Sequence, residues 1–266
     1  MTLKISHCSH PFSLNPCRLQ TFEYQIDPYI GCEHYCYYCY VLDRAETDWR
    51  KEIMIYPDIV AQLSGELKKI PPQTIYMGTH TDPYQPCEAF YHQTRKVLNV
   101  LLDAGFSASI LTKSDLVVRD LDIIGKMEDG AVSVSVAFSD NQTHRLFEAN
   151  TQETARRIEA LKKCREAGIK TGALICPVIP YVTDVIRMID MLESYADTIW
   201  IYGLSMADQN GQNRKYMQTI LNHHYPELAE EIRHSLKSRQ DHYWTRLSEK
   251  LKRLKDERDL DLRIHV

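Results

Sequence analysis

The stretch Gly31-Cys32-Glu33-His34-Tyr35-Cys36-Tyr37-Tyr38-Cys39-Tyr40 places three of the chain's eight cysteines within eight residues, at CxxxCxxC spacing and among four tyrosines. Thiols this close in sequence converge only if the segment is a loop that turns them toward one point. Thiolates are the usual ligands of iron–sulfur clusters, and three from one loop leave one iron of a [4Fe-4S] cube open to a substrate or cosubstrate. With His34, the same segment also offers a four-ligand zinc set of Cys32, His34, Cys36 and Cys39. Structural zinc sites, however, usually draw their ligand pairs from two separated knuckles.

An aromatic residue just before the last cysteine, the flanking Asp27-Pro28-Tyr29-Ile30-Gly31-Cys32 and Tyr38-Cys39-Tyr40, and downstream Thr81-Asp82-Pro83-Tyr84-Gln85-Pro86 carry a resemblance. Together they resemble the radical S-adenosylmethionine (SAM) superfamily, in the branch that includes spore photoproduct lyase, over residues 21 to 205. The resemblance implies a [4Fe-4S] cluster on Cys32, Cys36 and Cys39 and reductive cleavage of SAM to methionine and a 5′-deoxyadenosyl radical, which takes hydrogen from a substrate. A reductant protein such as flavodoxin or ferredoxin would supply the electron. One departure stands out: the lyase's hydrogen-donating cysteine, at the end of the second strand, aligns with His80, while Tyr40 matches a tyrosine of that family. Three alternatives remain: a lyase-like DNA repair enzyme and, from other classes, a non-catalytic iron–sulfur electron-transfer protein and a zinc-dependent binding module.

At 266 residues the chain suits one main α/β domain with appendages. It holds no run of eighteen apolar residues and no basic-then-apolar leader, so a cytoplasmic protein with no membrane association is expected. In that compartment the cysteines read as ligands and buried thiols instead of disulfides. The first 206 residues carry 20 basic against 26 acidic side chains, and the last sixty carry 12 against 10. A duplex-binding protein needs a strongly basic footprint, so nucleic acid is not favoured as a partner and the substrate is unknown.

Outward from the cysteine loop, strand and helix patterns alternate. Strands are expected at residues 22–30, 73–79, 107–112, 131–138, 170–176 and 198–204, with helices at 57–70, 89–103, 116–127, 152–167 and 182–194. Ile59, Val60, Leu63 and Leu67 mark the first helix. Six strands alternating with helices predict an α/β fold, a partial (β/α)6 parallel barrel. Residues 1–20 read as an N-terminal extension without regular structure, in which Cys8, Cys17, His7 and His10 match no ligand spacing. Residues 206–266 read as a helical C-terminal extension covering the barrel, with helices at 215–224 and 226–258 and a short strand at 260–266.

Parallel barrels carry their chemistry at the carboxyl ends of the strands. The second strand ends in Gly78-Thr79-His80-Thr81-Asp82, the third in Thr112-Lys113-Ser114, and the fourth alternates as Val132-Ser133-Val134-Ser135-Val136 with its serines toward the lumen. By the resemblance, Tyr40, Thr81, Asp82, Lys113 and Ser135 are the expected SAM-binding residues. Tyr40, His80 and Cys87 are the catalytic candidates, Cys87 from a loop over the active face. Cys176, before Pro177, reads as a buried thiol.

Overall fold

A computed structural model describes residues 3–19, 21–45, 47–204 and 211–266. The boundary expected at residues 205–206, and the end of the N-terminal extension at residue 20, lie outside the described residues.

The N-terminal extension is more ordered than its pattern predicts. Strand β1 (Lys4–His7) and the short β2 (Asn15–Pro16) precede β3 (Tyr24–Ile26), β4 (Tyr29–Ile30) and β5 (Glu52–Ile55). The single strand expected at 22–30 is therefore two. Pro28 has no N–H to give a ladder, and the Asp27 carboxylate accepts instead from the backbone N–H groups of His80 and Thr81 at 3.0 and 3.1 Å. Below this break β3 joins the main sheet. Above it β4 pairs antiparallel with β5, whose other edge takes β1 in parallel.

From here the chain alternates: α1 (Ile59–Leu67), β6 (Thr74–Met77), α2 (Glu88–Tyr91), α3 (Gln93–Asp103), β7 (Ser107–Thr112), a 3-10 turn at Asp115–Asp120 with α4 (Leu121–Ile124), and β8 (Ala131–Val136). Then follow α5 (Asn141–Phe147), α6 (Thr154–Glu166), β9 (Lys170–Val178), α7 (Val185–Leu192), β10 (Thr198–Gly203), α8 (Gln212–His224), α9 (Ala229–Lys237), α10 (His242–Arg258) and β11 (Leu262–His265). Three expected helices differ. The one at 89–103 breaks at His92, which takes a left-handed φ of 52°. The one at 116–127 is mostly 3-10 turn, and that at 226–258 is interrupted between α9 and α10.

The expected strands β3, β6, β7, β8, β9 and β10 stand in chain order, all parallel, and β11 adds a seventh beside β10 while β2 closes the other edge antiparallel.

Strict alternation builds the two faces. Ile75, Met77, Ala108, Ile110 and Val132 are fully buried against Leu63, Leu98, Leu101 and Ile124 on the outer face. Farther along, Val134, Val136, Ala173, Ile175 and Ile201 meet Leu161, Met188, Leu192, Trp244 and Leu251. Val60 points to solvent, so Ile59, Leu63 and Leu67 alone form the stripe of α1. Of the expected helical cover, α10 packs on this outer face as the crossover between β10 and β11, and α8 approaches the cysteine loop. No described helix is long and apolar enough to cross a membrane.

Candidate functional site

The cysteine loop leaves β4 through Gly31, whose φ of 95° suits glycine, and where a Cβ would come within 2.8 Å of Ile53 and 3.1 Å of Trp49. Gln85 then clamps the loop's start: its amide donates to Gly31 O at 3.0 Å and its carbonyl accepts from Glu33 N–H at 2.9 Å. Tyr37 N–H donates to Phe147 O at 3.0 Å, and Cys39 N–H to Cys36 O at 2.9 Å. From above, Tyr216 of α8 places its hydroxyl 3.0 Å from that of Tyr35. These contacts gather Cys32 and Cys36, both buried, and the half-buried Cys39 at one end of the sheet.

The three thiols interact electrostatically with one another. Burial pushes Cys32 up to about 12, with Asp82 adding to it, and raises Cys36 and Cys39 as well. Ionising them together therefore requires bound positive charge, the condition a metal cluster meets. A single-ion site fits less well. His34, which would complete a zinc set, turns its Nδ1 to within 3.3 Å of Asp82 Oδ2, and among the described residues no three such side chains converge on one ion position. The donor set suits a polynuclear cluster held by cysteine alone.

Around the loop, the strand ends form a connected polar layer. Asp82 is buried and fully engaged: Oδ1 accepts from Tyr84 N–H at 2.8 Å and the Thr112 hydroxyl at 2.6 Å, and Oδ2 from Lys113 N–H at 2.6 Å. Burial opposes its charge, but His34, Thr112 and Lys113 outweigh that and hold the carboxyl at about 2. Asp82 thus ties β6 to β7 and to the cysteine loop. Thr81 is buried beside it, its N–H on Asp27. His80, partly exposed, sets its Nδ1 3.0 Å from Asp27 Oδ2. Tyr40, half exposed, donates to Thr79 O at 2.9 Å.

Lys113 and Ser135 meet directly, the ammonium donating to the hydroxyl. Lys113 also lies 3.4 Å from Glu148 Oε1 and 5.7 Å from the Tyr38 ring centroid, and burial pulls its ammonium below the usual lysine range. Glu148 and its partner Arg157, 2.7 Å apart, are both fully buried. Arg157 continues to Ser135 O at 2.7 Å and His144 Nε2 at 2.7 Å, while Tyr38 donates to Glu148. Burial first and Arg157 second push the His144 imidazole down to about 4. The sequence reading missed this group. Its signal was an arginine on the otherwise apolar inner face of α6, a placement arginine takes only when paired.

Cys87 is not over the active face. It is buried behind the loop among Tyr29, Cys32 and Trp49, its N–H donating to Glu33 Oε1 at 2.5 Å. Proline-initiated turns at Pro83 and Pro86 fold the segment inward before α2 begins. Cys176, half-buried, does face the polar layer: its thiol feels Lys113, Glu148, Arg239 and Cys39, and burial pushes it up to about 11.

The radical SAM superfamily model matches residues 26–192, a span that holds the loop, Lys113, Ser135 and Glu148. This chain belongs to the radical SAM superfamily. An uncharacterised protein of Mycobacterium tuberculosis is 30% identical over 229 residues, covering 80% of this chain and 66% of its own length, just under two thirds. Another from Methanocaldococcus jannaschii is 30% identical over 226 residues, covering 82% of this chain and 83% of its own. Among solved structures, spore photoproduct lyase with bound AdoMet and dinucleoside spore photoproduct aligns with a TM-score of 0.58 at 18% identity, over 84% of this chain and 66% of that one. At that identity the likeness is one of fold.

Proposed function

We propose that this protein is a radical SAM enzyme whose [4Fe-4S] cluster is held by Cys32, Cys36 and Cys39. The observation that carries the reading is one clamped loop at the carboxyl end of a parallel sheet whose three thiols interact electrostatically with one another, two of them also with Lys113. When bound, the cluster supplies the electron that splits the SAM sulfonium into methionine and a 5′-deoxyadenosyl radical, which abstracts hydrogen from the substrate. The chain's own residues do the rest. Lys113, braced by Ser135 and Glu148, presents a cation to the SAM carboxylate. Asp82 and Gln85 hold the loop in register with the strand ends, and Tyr40 closes the loop's exit onto Thr79. The tyrosines of the loop and Tyr216 of α8 keep water from the thiols.

A reductant such as flavodoxin or ferredoxin is the expected electron source. The chain's formal charge of −4 and the histidine at position 80 favour a substrate other than duplex DNA. Deuterium transfer tests the substrate point: reduced enzyme and SAM are incubated with labelled cell-extract fractions, and the fraction that transfers label to 5′-deoxyadenosine contains the substrate. Label arising solely from nucleic acid would overturn the substrate reading.

A further inference from the structure

Gly203 ends β10 at the rim that holds the cysteine loop, and the side chain lying against it is Arg239, from the link between α9 and α10. A Cβ at Gly203 would overlap the Arg239 guanidinium, so the glycine is what lets the two approach. Arg239 donates to Leu204 O at 2.8 Å, and its guanidinium lies 4.3 Å from the Trp244 ring centroid. A carbonyl and an indole thus fix its plane. Its charge is a different matter. Arg95, Arg119, Arg157 and Lys113 each pair with a carboxylate, whereas among the described residues Arg239 makes no such pair. A guanidinium has five N–H donors, and among the described residues most of the Arg239 fork has no partner.

Gly203 pairs with Val178 on β9, two residues after Cys176, and the Cys176 thiol interacts electrostatically with Lys113, Glu148, Arg239 and Cys39. Lys113 is braced by Glu148 and assigned above to the SAM carboxylate, whereas Arg239 has no carboxylate partner among the described residues.

We propose that Arg239 is an anion-recognition residue of the active-site mouth, binding a carboxylate or phosphate group of the substrate and setting it beside Cys176. The proposal rests on reading this mouth as the site of SAM-dependent chemistry. Arginine suits the task because its planar fork takes two oxygens of one oxyanion, and stacking on Trp244 has already restricted its rotamers.

Arginine Nε–Hε resonances of cluster-loaded, 15N-arginine-labelled protein test this without turnover, so failure here is separable from failure to form 5′-deoxyadenosine. The resonance missing from Arg239→Lys identifies Arg239; should that variant not fold, Arg239→Met serves. Inorganic phosphate and acetate are titrated separately with SAM present. The expected result is a saturable shift of the Arg239 resonance, with half-saturation about tenfold below that of the other arginines, the factor worth one charge-assisted contact. A stronger response to phosphate assigns a phosphoryl group, and a stronger response to acetate a carboxylate. No saturable shift with either anion overturns the proposal, as does a shift produced by SAM alone that abolishes the anion response.

Discussion

Lys113 Nζ and Glu148 Oε1 lie 3.4 Å apart at the carboxyl end of the sheet, the carboxylate fully buried and the ammonium nearly so. They reach each other from the end of β7 and the end of α5, and the Ser135 hydroxyl accepts from the same ammonium. Glu148 is in turn held by Arg157 and Tyr38, so the lysine has little freedom to leave the mouth. A cation braced in this way meets a bound carboxylate without first being ordered, which removes part of the entropy cost of binding.

Replacing the lysine removes that contact while keeping all three cysteines of the loop. Lys113→Met is expected to weaken SAM binding by about 1.5 to 3 kcal/mol, the range for hydrogen bonds to charged groups, with iron and sulfide content unchanged. Calorimetry on the reconstituted protein reads the first and metal analysis the second. Equal affinity in variant and parent would remove Lys113 from the SAM site.

His144 makes stability depend on pH. Its folded pKa of about 4 lies below the ordinary value of 6.5. Between those values the unfolded chain binds the proton that the native chain excludes, so stability falls as pH drops from 6.5 toward 4 and levels off below it. From pH 7 to pH 5 the loss is on the order of 2 kcal/mol. Urea denaturation at the two pH values measures it, and His144→Asn should flatten the dependence. An unchanged slope in the variant would place the titration elsewhere.

Leu251 tests where α10 belongs. It is fully buried with Trp244 and Leu192 on the outer face of the sheet. Leu251→Ala should cost about 2 to 5 kcal/mol through lost burial and the cavity left behind. SAM affinity should not change, because the helix braces the barrel from outside. A variant of normal stability with impaired SAM binding would make α10 a lid over the mouth instead of an outer brace.

Much of this architecture is legible in the residues themselves. Val132-Ser133-Val134-Ser135-Val136 alternates without a break and becomes β8 with its valines outward, and the CxxxCxxC spacing marks the loop whose thiols the fold gathers. The misread features share a physical origin in contacts distant along the chain. Residues 22–30 look like one strand until Asp27 is seen capping His80 and Thr81, over fifty positions away. Glu148 and Arg157 carry no local pattern that separates them from solvated charges, because they pair with each other across nine residues and Glu148 also meets Lys113 from the end of β7. Cys87 follows the second strand in a loop whose sequence allows either a thiol facing the active side or a packed one, and Gln85 and Glu33 decide for the packed thiol by drawing the loop down onto the protein. The left-handed residue His92 breaks a helix whose apolar spacing runs on past the break.

The central claim is that these three thiols carry a SAM-cleaving cluster, and quantifying 5′-deoxyadenosine by mass spectrometry after anaerobic reconstitution, chemical reduction and addition of SAM tests it most directly. The parent protein should bind about four irons and four sulfides per chain and form the nucleoside. Cys32→Ala, Cys36→Ala and Cys39→Ala should each abolish both, and Cys164→Ala, altered only in the core, should preserve both. Stoichiometric zinc without iron uptake, or a full cluster that forms no 5′-deoxyadenosine from SAM, would contradict the account.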